Sequence, residues 1–359
     1  MRLFSARAVL CLLVTGLLAS GAWFAGCGGS ENSVATQAPE QTQTAQTQTA
    51  QTQPYQLKLA VEFTDHAACA MVAEEKGWFT EAGLALTAVE NYITGTDLAA
   101  ALARGDIQAA YICLVPAINA RANGGVDIKV VAGTHRYGYG LVVDPAKISS
   151  LTDLGKPGIA VSCTQPGTAS DVLLHRLCEE QGLPTQQICD AAQRMNPPAQ
   201  VLALQAGKVN ASFLPEHWAT LAEAGGYKLL ASAKDIWPEM QGSVLVVTSD
   251  LLATRPDVVE KLVEVTKRAN TWITEHPEEA AAILAQKLTV TGQLVLPDKA
   301  AESAAKLQVT PETIATSMTR LEYRSDIDPA QVEETISYMN RLGYLKKSIS
   351  AAELLDLRF

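Results

Sequence analysis

Residues 95–112 read GTDLAAALARGDIQAAYI, and the reading of this stretch decides the fold. Asp97 is of a helix-capping type, the run from Leu98 to Arg104 has helical spacing, and Gly105 suits the left-handed conformation that ends helices. Directly behind it, residues 107–112 form a short apolar run of strand type. The same alternation extends outward. Upstream, Leu57, Leu59, Val61 and Phe63 alternate with Lys58, Ala60 and Glu62, the period of a strand with two unlike faces. A helix is expected from about Ala67 to Gly77 and a strand over residues 84–89. Downstream follow a short helix (116–123) and a strand (128–132). A second series comprises a strand at 158–161, helices at 170–180 and 198–205, a strand at 211–213 and a helix at 216–224. Later come a strand at 243–248 and a helix over 256–275, with Val259, Leu262, Val263 and Ala269 in helical register, interrupted by Pro277. Strands alternating with helices of this length predict an α/β fold with mostly parallel sheets.

The chain has 359 residues, 48% hydrophobic and 18% charged, which is globular composition and enough length for two lobes. Its formal charge is −10, and the loss of Arg2 and Arg7 with a leader would make it about −12, so a basic face for nucleic acid is not expected. Residues 1–26 have two arginines, a short apolar core from Ala8 to Leu18 and then small residues, the pattern of a secretory leader. Phe24-Ala25-Gly26-Cys27 resembles a bacterial lipobox with Phe24 where an aliphatic residue is usual, which implies lipidation of Cys27. Residues 27–55 are dominated by Gln, Thr and Ala and predict a disordered tether, because such a tract buries too little apolar surface to offset its ordering entropy. An exported protein held at the outer face of the cytoplasmic membrane is the expectation. After the leader and Cys27, Cys69, Cys113, Cys163, Cys178 and Cys189 remain, so at least one is unpaired or intermolecular; Cys178 with Cys189, or bridges among Cys69, Cys113 and Cys163, are open choices.

Four stretches carry a family resemblance: AEEKGWFTEAGL at 73–84, GTDLAAALARGDIQAAYI at 95–112, VSCTQPGTASDVLLHRLCEEQGL at 161–183 and ALQAGKVNASFLPEHWATLAEAGG at 203–226. In order and spacing they resemble extracytoplasmic substrate-binding proteins of ABC importers, in the group serving nitrate, taurine, alkanesulfonates and thiamine pyrimidine precursors. The resemblance implies a two-lobe periplasmic-binding-protein fold of type II with a ligand cleft between the lobes. It places the crossings between lobes near residues 144–151 and 236–243, giving a first lobe over 56–146, a second over 147–240 and a return to the first over 241–359. It implies a monomer without catalysis or cofactor, capturing a small polar solute of the sulfonate, nitrate-like or pyrimidine-like class for a membrane permease and its ATPase.

In open α/β sheets, ligands bind beyond the carboxyl ends of strands, where helix N-termini offer unpaired N–H groups. That rule selects as candidate ligand-binding residues Asp65, His66, Cys69, Thr94, Gly95, Thr96, Cys113, His135, Arg136, Thr164, Thr168, Ala169, Glu216 and His217. Thr94, Thr96, Thr168 and Arg136 suit an anion, whereas Asp65 and Glu216 suit donor groups on a ligand. Tyr92, Tyr137, Tyr139 and Trp218 are of a type to stack on a flat ring. A second reading takes His66, Cys69, His135 and His217 as ligands of a metal or metal chelate, although no CxxC or HxxxH spacing is present. A third makes His66 and Glu216 an acid/base pair of a pyrimidine-related enzyme, without a phosphate loop, a Gly-x-Ser-x-Gly elbow or a dinucleotide fingerprint in support.

Overall fold

The structure is a computed structural model that describes residues 53–296 and 309–359. The expected leader, the lipidation site Cys27 and most of the tether lie outside the described residues.

The alternating segment forms β1 (Tyr55–Glu62), followed by a short turn of helix and α1 (Ala68–Glu75). Gly77, in the left-handed region at φ 72°, turns the chain into α2 (Trp78–Glu81). Next come β2 (Leu84–Tyr92), α3 (Gly95–Arg104), β3 (Ala109–Cys113), α4 (Leu114–Gly124) and β4 (Ile128–Tyr137). The N-cap of α3 is Thr94, whose Oγ1 accepts from the Asp97 N–H at 3.2 Å, and Gly105 closes the helix at φ 76°. The expected capping position thus moves three residues upstream, and Asp97 instead accepts from the Thr94 hydroxyl at 2.7 Å. Then follow β5 (Tyr139–Val143), β6 (Val161–Cys163), α5 (Ala169–Glu180), α6 (Thr185–Ala191), β7 (Gln193–Arg194), α7 (Pro197–Gln205), β8 (Ala211–Pro215), α8 (Glu216–Ala224), β9 (Lys228–Ser232), α9 (Ala233–Ile236) and β10 (Gln241–Thr248). The described C-terminal part holds α10 (Ser249–Thr254), α11 (Pro256–Glu275), α12 (Pro277–Val295), α13 (Pro311–Met318), β11 (Leu321–Tyr323), α14 (Pro329–Arg341) and α15 (Ala351–Leu354).

Among the described residues the strands make two sheets, ordered β11-β4-β10-β3-β1-β2 and β7-β6-β8-β5-β9. In the first, β1 lies parallel to β2 and β3, while β10 runs antiparallel between β3 and β4. In the second, β6 is parallel to β7 and β8, and β5 is antiparallel to β8 and β9.

The first passage between sheets differs from expectation. Strand β4 ends at Tyr137 in the first sheet and β5 begins at Tyr139 in the second, so Gly138 alone makes the crossing, upstream of residues 144–151. Residues 139–143 therefore belong to the second sheet, not to the lobe assigned to 56–146. Tyr137 and Gly138 are both left-handed, at φ 63° and 84°, and this pair of backbone conformations replaces a linker. The return passage runs from Ser232 to Gln241.

Continuous apolar clusters join the two halves: one includes Leu98, Ile112 and Ile118 together with Leu141, Leu173 and Phe213. The C-terminal helices also divide between them. Leu355, just after α15, bridges to Val130 of β4, whereas α14 reaches α5, where Arg176 meets Glu334 at 2.8 Å and the Tyr338 hydroxyl donates to Glu179 at 3.1 Å. All five described cysteines are buried thiols, so none of the open disulfide pairings is formed here. No described helix is long and apolar enough to cross a membrane.

Candidate functional site

A cleft of about 330 Å³ opens where the carboxyl ends of β1, β3, β6 and β8 meet the N-termini of α3, α5 and α7. Its first wall is Glu62, Thr64, residues 93–97, Cys113 and Pro116; its second is Tyr139, Thr164, Gln165, Thr168, Ala169, Ser170, Arg194, Asn196 and Pro215. Of the candidate ligand-binding residues, Thr94, Gly95, Thr96, Cys113, Thr164, Thr168 and Ala169 line this cleft. The start of α5, whose Ala169 and Ser170 line the cleft, has no side-chain cap, because the Thr168 hydroxyl donates instead to the Gln165 carbonyl at 2.7 Å.

Asp65, His66, Cys69, His135, Arg136, Glu216 and His217 do not line the cleft. Most of them form a second polar group behind its floor, wedged at the crossings. His66 Nε2 donates to the Gly138 carbonyl at 2.6 Å, and its ring lies 4.4 Å from that of His135. A Cβ on Gly138 would fall 2.8 Å from His66 Nε2, and one on Gly242 would fall 2.4 Å from His135 Cε1, so the two imidazoles fill the space that two glycines leave at the two passages. Asp65 accepts from the Ser317 hydroxyl and faces His217 Nδ1 at 3.6 Å. Glu216 takes Arg320 at 2.9 Å, and the same guanidinium donates to Glu223 at 2.5 Å. Cys69 is buried in α1 among apolar neighbours, and Arg136 pairs with Glu239 at 2.8 Å.

The electrostatics fit this division. Burial lowers His66 to about 4 and outweighs the opposing Asp65 carboxylate, so its imidazole is neutral at pH 7. His135 is held well below its usual range by burial and by the neighbouring His66. Burial raises Glu216 to about 7 against the pull of Arg320. Burial would also raise Asp65, but His217, His66 and Ser317 bring it down to about 2. Among the described residues no group of three or more His, Cys, Asp or Glu side chains is placed to hold a metal ion, so His66, Cys69, His135 and His217 do not converge as the metal reading required.

Sequence reasoning missed Glu62, Ser170 and Arg194. Glu62 was read as a polar partner in the alternation of β1, but both faces of that strand are buried from Leu59 onward, which puts the carboxylate on the cleft floor. Its Oε1 accepts from the Cys113 N–H at 3.1 Å, and burial raises it to about 7 despite that bond. Arg194 donates to the carbonyls of Thr164 and Cys189 at 3.0 and 2.8 Å and to Asp171 Oδ1 at 2.5 Å. Asp171 also accepts from Tyr344, whose carbonyl is held by Asn123 of α4 at 2.7 Å, so the second wall is tied to the first-sheet side of the cleft. Asn119 of α4 donates to the Gly167 carbonyl at 2.6 Å close by.

Residues 50–289 match the NMT1-like family. No curated protein sequence matches the chain at a significant level. Among solved structures, the alkanesulfonate-binding protein SsuA from Xanthomonas axonopodis pv. citri bound to MOPS is 18% identical with a TM-score of 0.69, covering 85% of this chain and 99% of that one. The zinc-bound ligand-binding component of an ABC-type import system from Staphylococcus aureus is 18% identical with a TM-score of 0.68, covering 84% and 97%. A Candida albicans gene product with the generic periplasmic binding protein fold is 14% identical with a TM-score of 0.61, covering 84% and 96%. With both sheets closing on one cleft, the chain has the periplasmic-binding-protein fold and belongs to the NMT1-like family.

Proposed function

We propose that the chain is the extracytoplasmic solute-binding component of an ABC importer, capturing a small polar organic solute and delivering it to a membrane permease. The cleft carries this reading: it takes lining residues from both sheets, and the chain crosses between those sheets close behind its floor, an arrangement suited to closure by hinge motion. The likeness to a ligand-binding component of an ABC-type import system and to an alkanesulfonate-binding protein supports the role, and the lipobox-like Cys27 supports a membrane anchor. His66 and Glu216, the pair an enzyme reading needs, lie behind the floor and are occupied by Gly138 and Arg320, which favours binding over catalysis.

Native mass spectrometry of the full chain, purified without chelator and compared with the unfolded sample, tests the reading. An excess mass matching a small organic molecule is expected; a mass lost on adding chelator would replace it with metal capture. For the anchor, Cys27→Ala should move the protein out of the membrane fraction, and continued membrane association would refute lipidation there.

A further inference from the structure

Glu62 is a buried carboxylate, 5% exposed, on the floor of a cavity. Among the described residues it has one hydrogen bond, from the Cys113 N–H, and no cationic partner. The start of α3 presses against it so closely that a Cβ on Gly95 would lie 2.1 Å from Glu62 Oε1. The groups facing it do not supply a charge: the Cys113 thiol and Tyr139 phenol are both pushed up by burial and stay neutral, and Asp97 on α3 is itself acidic. Across the cleft, Arg194 is neutralised by Asp171. An unpaired buried carboxylate is costly, and a bound cation offsets that cost. A bare anion would add repulsion to it. On the same cavity, the Ser170 hydroxyl at the uncapped start of α5 is 1% exposed and has no hydrogen-bond partner among the described residues.

We propose that Glu62 is the specificity-determining residue of the cleft and that the ligand carries a basic nitrogen, ammonium or amidinium, which pairs with it, while acceptor atoms at its other end meet Ser170 and the first N–H groups of α5. This inference rests on the solute-binding reading above. It carries a pH signature. Burial raises Glu62 to about 7, so below that pH a proton competes with the ligand's cation and affinity falls roughly tenfold per pH unit. Above it, affinity levels off.

The test is calorimetric titration of the full chain with matched compounds: aminoalkanesulfonates, aminoalkanoates and aminomethylpyrimidines, each beside its counterpart without the basic nitrogen. At least one basic member should bind, its counterpart at least tenfold more weakly. Glu62→Gln should lose at least tenfold for the basic member and abolish the pH dependence below 7, whereas Glu62→Asp, shorter but still charged, should retain that dependence. Circular dichroism of each variant without added compound checks that it folds. If a compound lacking the nitrogen binds as tightly as its partner, or if Glu62→Gln binds the basic member unchanged, the inference fails and the importer reading stands. If no compound binds and no small molecule co-purifies, both fail together.

Discussion

Two groups of buried polar side chains, whose nearest members Glu62 and Asp65 share one loop, differ in how their charges are met. Behind the floor the charged groups find counter-charges or dipoles within the chain: Glu216 pairs with Arg320, Asp65 faces His217 and accepts from Ser317, and His66 and His135 bond to the carbonyls of Gly138 and Arg136, although each side chain keeps one polar atom without a partner among the described residues. On the floor, Glu62 is also buried but has no cationic partner among the described residues, only the Cys113 N–H, and the Ser170 hydroxyl has no hydrogen-bond partner there at all. The contrast teaches that residue type is a poor guide to a ligand site in this molecule. Histidines and paired acids hold the crossings in place, while an acid without a counterion faces the cavity.

Breaking the inner group should cost the most. Arg320→Ala leaves Glu216 buried without a cation and should destabilise the protein by about 4 kcal/mol in urea unfolding; a loss below about 1 kcal/mol would show that the group does not depend on that pair. Glu62→Gln should do the reverse. Glu62 is raised from 4.5 to about 7 in the folded state, so its stabilising contribution is full below the unfolded value and is lost as pH rises through the folded one. The glutamine variant should therefore gain up to about 3 kcal/mol at pH 8, shrinking towards zero near pH 4. A pH-independent difference would mean that Glu62 has a partner in the folded protein. Gly138→Ala, which puts a Cβ into both imidazoles at a left-handed position, should cost about 2 kcal/mol, read as a lower melting temperature; an unchanged value would show that the crossing relaxes freely. Asn119→Ala removes two bonds near the cleft, to the Gly167 carbonyl and from the Asn123 amide, and should cost about 1 kcal/mol, and a loss as large as that of Arg320→Ala would erase the distinction between hinge and rim.

The alternation in residues 57–63 and the helix ends at Gly77 and Gly105 made the α/β order legible, because period and left-handed glycines are local signals. The crossing was not legible. Tyr137-Gly138-Tyr139 has no linker composition, and the left-handed pair there is stabilised by two imidazoles distant in sequence or face. The strand-end rule found the loops that carry the site but could not say which residue of each faces inward. Thr94 and Thr168 line the cleft, whereas Asp65 and His66 lie on the far side of the loop that begins at Glu62. Arg194 was illegible for another reason: its short strand β7 has only two residues and no periodicity to read.

The buried thiols give the molecule a built-in clock. Burial pushes Cys69 and Cys113 up to about 12 and raises Cys163, and Cys178 together with burial raises Cys189, so none forms appreciable thiolate at neutral pH and those away from the cleft meet no alkylating reagent until their surroundings open. Because those are spread over α1, the end of β6 and α6, the rate at which each is alkylated times the opening of a different part of the structure.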